Sequence, residues 1–314
     1  MTRVACIGEC MVELKQADGG LFSRGYGGDT LNTAVYLARL GVSADYVTAL
    51  GDDPLSDEMM AGWAAEGVGT RLVARLPGKL PGLYMIQTDD QGERRFFHWR
   101  DSAAARSLMD LPQTPEILNS LASYDVVYLS AITLSLYGAE GRGRLFAALK
   151  RAREKGARFA FDTNFRARGW PDLDVARAVF QDAFAAADIV LASTEDLLPL
   201  YPGITNEALL ARIPGTEVVL KLSEPASIVR LEGVPYPIKA KPVEAPVVDT
   251  TAAGDSFAAA YLAARLVAAD PIEAARAGHR LAGVVVCHPG AIIPRAEMPP
   301  GLIPNHANSR KASP

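Results

Sequence analysis

Val248-Asp249-Thr250-Thr251-Ala252-Ala253-Gly254-Asp255-Ser256-Phe257 is the most informative stretch of the 314-residue chain. A β-branched run ends at Val248, and Asp249, Thr250 and Thr251 supply turn chemistry. Small residues follow. An apolar helix is expected from near Asp255 through Ala258, Tyr261, Leu262, Arg265 and Leu266. A turn of small residues at a helix start leaves backbone N–H groups pointing outward. Together with the helix dipole they make a site for an anion such as a phosphate. Asp255 stands at the mouth of that site. It reads either as an N-cap or as a carboxylate that takes a proton from an attacking hydroxyl.

Upstream of this stretch, strand and helix patterns alternate. Strands are expected at 125–130, 158–162, 188–192 and 217–222, with helices at 143–155 and 175–187. Polar clusters follow the strand ends: Asp162-Thr163-Asn164-Phe165-Arg166 and Ser193-Thr194-Glu195-Asp196, with Lys221 in the last strand. Open parallel sheets bind ligands beyond their carboxyl ends. The expected fold class is therefore α/β, a doubly wound and mostly parallel sheet. Residues 227–231 and 235–240 read as a short antiparallel pair. Pro271 opens a helix reaching Cys287, which His288-Pro289-Gly290-Ala291 breaks. Residues 299–314 lack periodicity and are expected to form a frayed tail.

Towards the N-terminus, residues 4–14 read as one strand with Gly8 and Glu9 in its middle, as a ligand-contacting loop or a bulge. Gly27-Gly28-Asp29-Thr30-Leu31-Asn32 opens a helix whose apolar face is Leu31, Ala34, Val35, Ala38 and Leu40, and which Gly41 ends. The two glycines would admit a ligand close to the backbone. Asp29 and Asn32, three apart, can both point at it. A strand is expected at 46–50 and a helix at 56–66. Residues 83–88 and 93–100 read as a hairpin across Asp89-Asp90-Gln91-Gly92. Period two puts Tyr84 with Ile86, and Phe96 with His98 and Arg100. Such a polar-aromatic hairpin suits a lid over a small polar ligand.

Composition excludes several classes. A net charge of −4 argues against nucleic-acid and anionic-membrane partners. No apolar run reaches spanning length and the first residues lack a signal-peptide layout, so a cytoplasmic location is expected. Cys6, Cys10 and Cys287 offer neither a disulfide framework nor a zinc site. The four histidines have no metal-ligand spacing.

Asp-Thr-Thr-Ala-Ala-Gly-Asp closely resembles the second signature of the PfkB (ribokinase-like) carbohydrate kinases, with Ala252 in place of a glycine. Gly-Gly-Asp-Thr-Leu-Asn at 27–32 resembles the first signature, some 220 residues earlier and in the family's order. The likeness covers roughly residues 3–298, and includes Ile7-Gly8-Glu9-Cys10-Met11, Leu80-Pro81-Gly82-Leu83-Tyr84, Trp99-Arg100 and Gly290 to Arg295. It is strongest to the branch acting on 2-keto-3-deoxygluconate. The resemblance implies a single ribokinase-like domain over 1–298, with β-lid segments near 9–26 and 80–102 and a tail at 299–314. It implies transfer of phosphate from ATP to the C6 hydroxyl of the sugar acid, with Mg2+ on the ATP and a monovalent cation as a further candidate.

Residue by residue, the resemblance makes Asp255 the base and Ala252, Ala253 and Gly254 the anion hole. Gly28, Asp29, Asn32, Tyr84, His98, Arg100 and Arg166 would hold the sugar. A carboxylate needs a cation, and arginine offers a bidentate fork; Arg100 and Arg166 are the two candidates. Asn164, Ser193, Lys221, Thr250, Gly254 and Gly290 would hold the nucleotide, and Asp196 would reach the metal through water or phosphate. The expected partners are sugar acid and ATP, in a homo-oligomer, without nucleic acid or membrane. Two motifs depart from the family: its Asn-x-x-Glu stands as Ser193-Thr194-Glu195-Asp196, and its Lys-x-Gly as Lys221-Leu222-Ser223.

Alternatives are a PfkB kinase of ribose, fructose or 2-keto-3-deoxygalactonate, or a non-catalytic sugar-acid sensor. A dinucleotide-dependent dehydrogenase is disfavoured, because Gly-x-Gly-x-x-Gly is absent from the first strand. A P-loop kinase fails because Gly78-Lys79-Leu80 has no Ser or Thr after the lysine.

Overall fold

The computed structural model describes residues 2–88, 94–215, 217–243 and 245–303. In chain order the elements are β1 (Arg3–Ile7), β2 (Met11–Gln16), β3 (Phe22–Gly27), α1 (Asp29–Arg39), β4 (Ser43–Gly51), α2 (Pro54–Ala65), β5 (Gly69–Leu76), β6 (Leu83–Thr88) and β7 (Arg94–Trp99). Then come α3 (Thr114–Ser120), β8 (Val126–Ser130), α4 (Ala131–Ser135), α5 (Ala139–Glu154), β9 (Arg158–Asp162), α6 (Leu173–Ala186), β10 (Ile189–Ser193), α7 (Thr194–Leu197) and α8 (Asn206–Arg212). The chain continues through β11 (Glu217–Lys221), β12 (Ala226–Leu231), β13 (Val234–Lys239), α9 (Ala253–Leu266) and α10 (Pro271–Val285).

Nine strands form one sheet in the order β13-β12-β11-β10-β9-β8-β1-β4-β5, parallel from β11 to β5 and antiparallel at β12 and β13. Its inner strands β1, β8 and β9 are buried on both faces, as parallel strands are when helices cover both sides, while the edge strand β13 is mostly exposed. Alternate residues serve opposite layers. Ala5 and Ile7 of β1 pack with α5 and α6, through Leu145, Leu149, Phe180 and Phe184. Val4 and Cys6 pack on the other side with α1, α9 and α10. In α9 every residue from Ser256 to Ala264 is buried. Its alanines let α1 and α10 approach closely, and that packing fixes the start of α9 against the start of α1.

Four strands form a second, smaller sheet in the order β3-β2-β6-β7. Tyr84 stands opposite His98 and Ile86 opposite Phe96, as the hairpin pattern requires. The hairpin's expected turn at 89–92 lies outside the described residues.

Several expectations need correction. Residues 4–14 are not one strand: β1 belongs to the large sheet and β2 to the small one, and Gly8-Glu9-Cys10 is the crossover between them. β1 is an unbroken buried apolar run from Val4 to Ile7, whereas β2 mixes apolar and polar residues, so the change of pattern coincides with the change of sheet. The run ending at Val248 is no strand; Val247 and Val248 are exposed, and the chain there leans on α10 through Val248 N–H to the Val286 carbonyl, 2.8 Å. The tail begins later than expected, because Leu302 is buried in the core and Arg280 holds the carbonyls of Pro300 and Gly301. Residues 304–314 lie outside the described residues. No helix among the described residues is long and apolar enough to cross a membrane.

Candidate active site

The large sheet, α1 and α9 converge where the sequence places its two signatures. Ala252 caps α9 at φ 60°, ψ 15°, in the left-handed region. That conformation costs an L-residue about 1–2 kcal/mol, so the family's glycine at this place has a steric reason and Ala252 carries strain. The turn also uses up one donor: the Ala253 N–H goes to the Thr250 carbonyl, 3.2 Å, and the Ser256 N–H to Ala252, 2.9 Å. Ala253 is therefore not an anion-hole donor, contrary to expectation. The N–H groups of Ala252, Gly254 and Asp255 have no partner among the described residues. Lys221 reaches the first turn of α9, since a Cβ at Gly254 would lie 3.4 Å from Lys221 Nζ.

Asp255 is the third residue of α9 and not its N-cap. Asn32 of α1 donates from Nδ2 to Asp255 Oδ2, 2.8 Å, and Thr33 donates to the Asp255 carbonyl, 3.2 Å. Asn164, just beyond β9, donates to Asp29 Oδ2, 2.7 Å. It thus braces the acid of the first signature. Lys221 at the end of β11 reaches Asp162 Oδ2 at 3.4 Å. Burial first, then the charge of Asp29, pushes the Asp255 carboxyl up to about 8, against the pull of the Asn32 hydrogen bond. Burial also raises Asp29. A carboxylate held at that value beside a cation and a helix N-terminus is a proton acceptor at mildly alkaline pH.

On the side of the small sheet, Tyr84 donates to Glu13 and stacks on His98 at 6.0 Å. Burial, then the charges of Arg100 and Arg168, holds the His98 imidazole below its usual value. Arg100 pairs with Glu9, which is almost fully buried. Gly28 is extended at φ −176°, and a Cβ there would strike the Glu9 carbonyl and Cys10 Cα. The glycine therefore admits the β1–β2 crossover close to the start of α1.

Arg166 is exposed beyond β9, bonded to the Phe165 carbonyl at 2.7 Å and 3.4 Å from Asp196. Asp196 also accepts from the Thr163 hydroxyl, 3.0 Å, and the Phe165 N–H, 3.1 Å. It braces the loop that carries Arg166. Ser193 caps α7 by accepting from the Glu195 N–H, 3.2 Å. The Gly290 N–H donates to Asp249 Oδ2, 3.1 Å, which ties the loop after α10 to the turn before α9, where Thr250 is exposed. Among the described residues no group of three or more His, Cys, Asp or Glu could hold a metal ion.

Sequence reasoning did not single out Asp162 or Tyr128. Both are buried and meet at 3.4 Å beneath Lys221. Asp162 had a signal, a carboxylate ending an otherwise apolar strand.

The description "pfkB family carbohydrate kinase" matches residues 1–298. The 2-dehydro-3-deoxygluconokinase of Dickeya dadantii is 44% identical over 306 residues, 94% of this chain and 98% of that protein. The Escherichia coli K12 protein of the same name is 40% identical, covering 95% and 99%. A crystal structure of 2-dehydro-3-deoxygluconokinase from Thermotoga maritima superposes with a TM-score of 0.80 at 26% identity, over 93% of this chain and 94% of that one. With both signatures meeting at Asp255 and relatives of this identity over nearly the whole length, the chain belongs to the pfkB family of carbohydrate kinases.

Proposed function

We propose that this chain transfers the γ-phosphoryl group of ATP to the C6 hydroxyl of 2-keto-3-deoxygluconate (2-dehydro-3-deoxygluconate), giving the 6-phosphate and ADP. The observation that carries the reading is Asp255: a buried carboxyl of raised pKa in the first turn of α9, held by Asn32 from the facing α1. Asp255 accepts the hydroxyl proton as O6 forms its bond to the γ-phosphorus and the bond to the β,γ-bridging oxygen breaks. The N–H groups of Ala252, Gly254 and Asp255, with Lys221, stabilise charge on the transferring group. The carboxylates nearest the phosphate site, Asp162 and Asp196, are already bonded to protein groups. That donor set fits Mg2+ carried on ATP phosphates and water, with Asp162 and Asp196 reached through water. When bound, the ion neutralises phosphate charge.

Arg166 is the stronger candidate for the sugar carboxylate, because it is exposed and meets Asp196 only at 3.4 Å, whereas Arg100 is paired with the buried Glu9. Tyr84, Asp29 and Asn32 line the path from the small sheet to Asp255, and the small sheet serves as lid. The exposed Phe22, Phe96, Phe97 and Trp99 of that sheet support the homo-oligomeric state.

The test is ADP release from ATP with a panel of sugar acids and neutral sugars, run in potassium and in sodium buffers, with phosphorus NMR of the product. A 6-phosphate of 2-keto-3-deoxygluconate is expected. A product phosphorylated elsewhere, or ADP release indifferent to the sugar, overturns the reading.

A further inference from the structure

The turn before α9 contains a strained residue. Ala252 sits at φ 60°, and an L-residue stays there only where its surroundings over-determine it. The restraint begins at Asp249. Its Oδ1 accepts from the Thr251 N–H, 3.0 Å, and from the Thr251 hydroxyl, 2.6 Å. Its Oδ2 accepts from the Gly290 N–H, 3.1 Å, so the placing of the turn depends on the loop after α10. Helix α1 holds that loop. The fully buried Tyr36 donates its hydroxyl to the Ala291 carbonyl, 2.7 Å, and accepts from the Ile293 N–H, 3.2 Å. Burial pushes the Tyr36 phenol up to about 12, which keeps it a donor at neutral and mildly alkaline pH. Arg39 donates Nη1 to the Ile293 carbonyl, 2.6 Å, while its Nε and Nη2 fork onto Glu66, both at 2.8 Å.

Tyr36 lies one helical turn beyond Asn32, and residues four apart share a helix face. Asn32 holds the Asp255 carboxylate at 2.8 Å. One face of α1 therefore meets the base directly and reaches the turn before α9 through the 290–293 loop. A phenylalanine of the same shape would leave the Ala291 carbonyl and the Ile293 N–H without the group that pairs them. We infer that Tyr36 is a positioning residue for ATP binding: it fixes the 290–293 loop, and with it the turn at 249–252 that presents the N–H groups of Ala252, Gly254 and Asp255. The inference rests on the kinase reading above, which puts the transferring phosphate at that turn. A tyrosine that merely filled the core would affect melting alone. One that sets the turn also sets the fraction of molecules competent to take the nucleotide, and apparent affinity falls with that fraction.

The experiment measures Kd for a non-hydrolysable ATP analogue with Mg2+, Kd for 2-keto-3-deoxygluconate alone, and the steady-state constants, in the parent and in Tyr36→Phe. Losing two hydrogen bonds should raise Kd and KM for the nucleotide about 5- to 100-fold, with a smaller change in kcat and in Kd for the sugar acid. A variant that melts lower yet keeps the parent's nucleotide Kd overturns the inference, as does one that loses affinity for sugar and nucleotide alike. Should Tyr36→Phe not fold, the parent alone decides. A nucleotide that needs the held loop must also hold it, because coupling between binding and conformation is reciprocal. The Ile293 amide, buried and bonded to the Tyr36 hydroxyl, should then exchange with deuterium several-fold more slowly at saturating analogue. Equal exchange with and without the analogue overturns the inference. A parent that binds no ATP analogue overturns the kinase reading instead, which keeps the two failures distinct.

Discussion

Asn32→Ala should move the pH dependence of the reaction. Asn32 donates to Asp255 Oδ2 at 2.8 Å, and this bond favours the ionised carboxylate. A hydrogen bond to a charged group is worth about 1.5–3 kcal/mol, and one pKa unit corresponds to about 1.4 kcal/mol. Removing the amide should therefore raise Asp255 by roughly 1–2 units from its already elevated value of about 8. At pH 7.5 the ionised fraction would fall from about a quarter to between roughly 3% and 0.3%. The matching loss in kcat/KM is roughly 8- to 80-fold at that pH, recovered as pH rises. The assay is kcat/KM for the sugar from pH 6 to 10.5, because that parameter reports the free enzyme's ionisations. An acid limb that stays in place, with a loss equal at every pH, would refute the link between Asn32 and the base and leave Asn32 as a sugar contact only.

Asp255→Asn should bind ATP and sugar yet lose about 10²–10⁴-fold in turnover, read in a purified, folded protein. The same variant should be more thermostable at alkaline pH. The folded-state pKa of Asp255 lies above the ordinary carboxylate value, so its contribution to stability is complete below about pH 4 and is lost as pH rises through about 8. The gain in Tm over the parent should therefore be largest above pH 8 and vanish in acid; a gain independent of pH contradicts the assignment. Gly254→Val should push Lys221 from the first turn of α9 and raise KM for ATP, and an unchanged KM places the phosphates elsewhere. Ala252→Val should be worse than Ala252→Gly in both melting and ATP use, because a β-branched residue is disfavoured at φ 60°; equal behaviour would mean that the turn relaxes.

The α/β alternation was readable because each buried strand and amphipathic helix carries its own period. Both signatures were readable as well, since each lies within one short segment. What joins them was not. Asn32 and Asp255 are 223 residues apart, and Glu9 and Arg100 are 91 apart, so only the packing of α1 on α9, and of the crossover under the small sheet, brings them together. Ala252 shows the same limit from another side. The sequence reports a missing glycine, but only the backbone shows that φ is positive there. Nor does the sequence report that the bare Cα of Gly28 admits the Glu9 carbonyl.

The selectivity of the parent for a carboxylate over a neutral sugar tests the account most directly. It is read as the ratio of kcat/KM for 2-keto-3-deoxygluconate to that for fructose or ribose, in the parent and in Arg166→Ala. The account predicts a parent strongly selective for the acid, and a variant that loses about 10–150-fold towards the acid with KM for ATP nearly unchanged. A parent that prefers the neutral sugar, or a variant whose preference is unaltered, would contradict it.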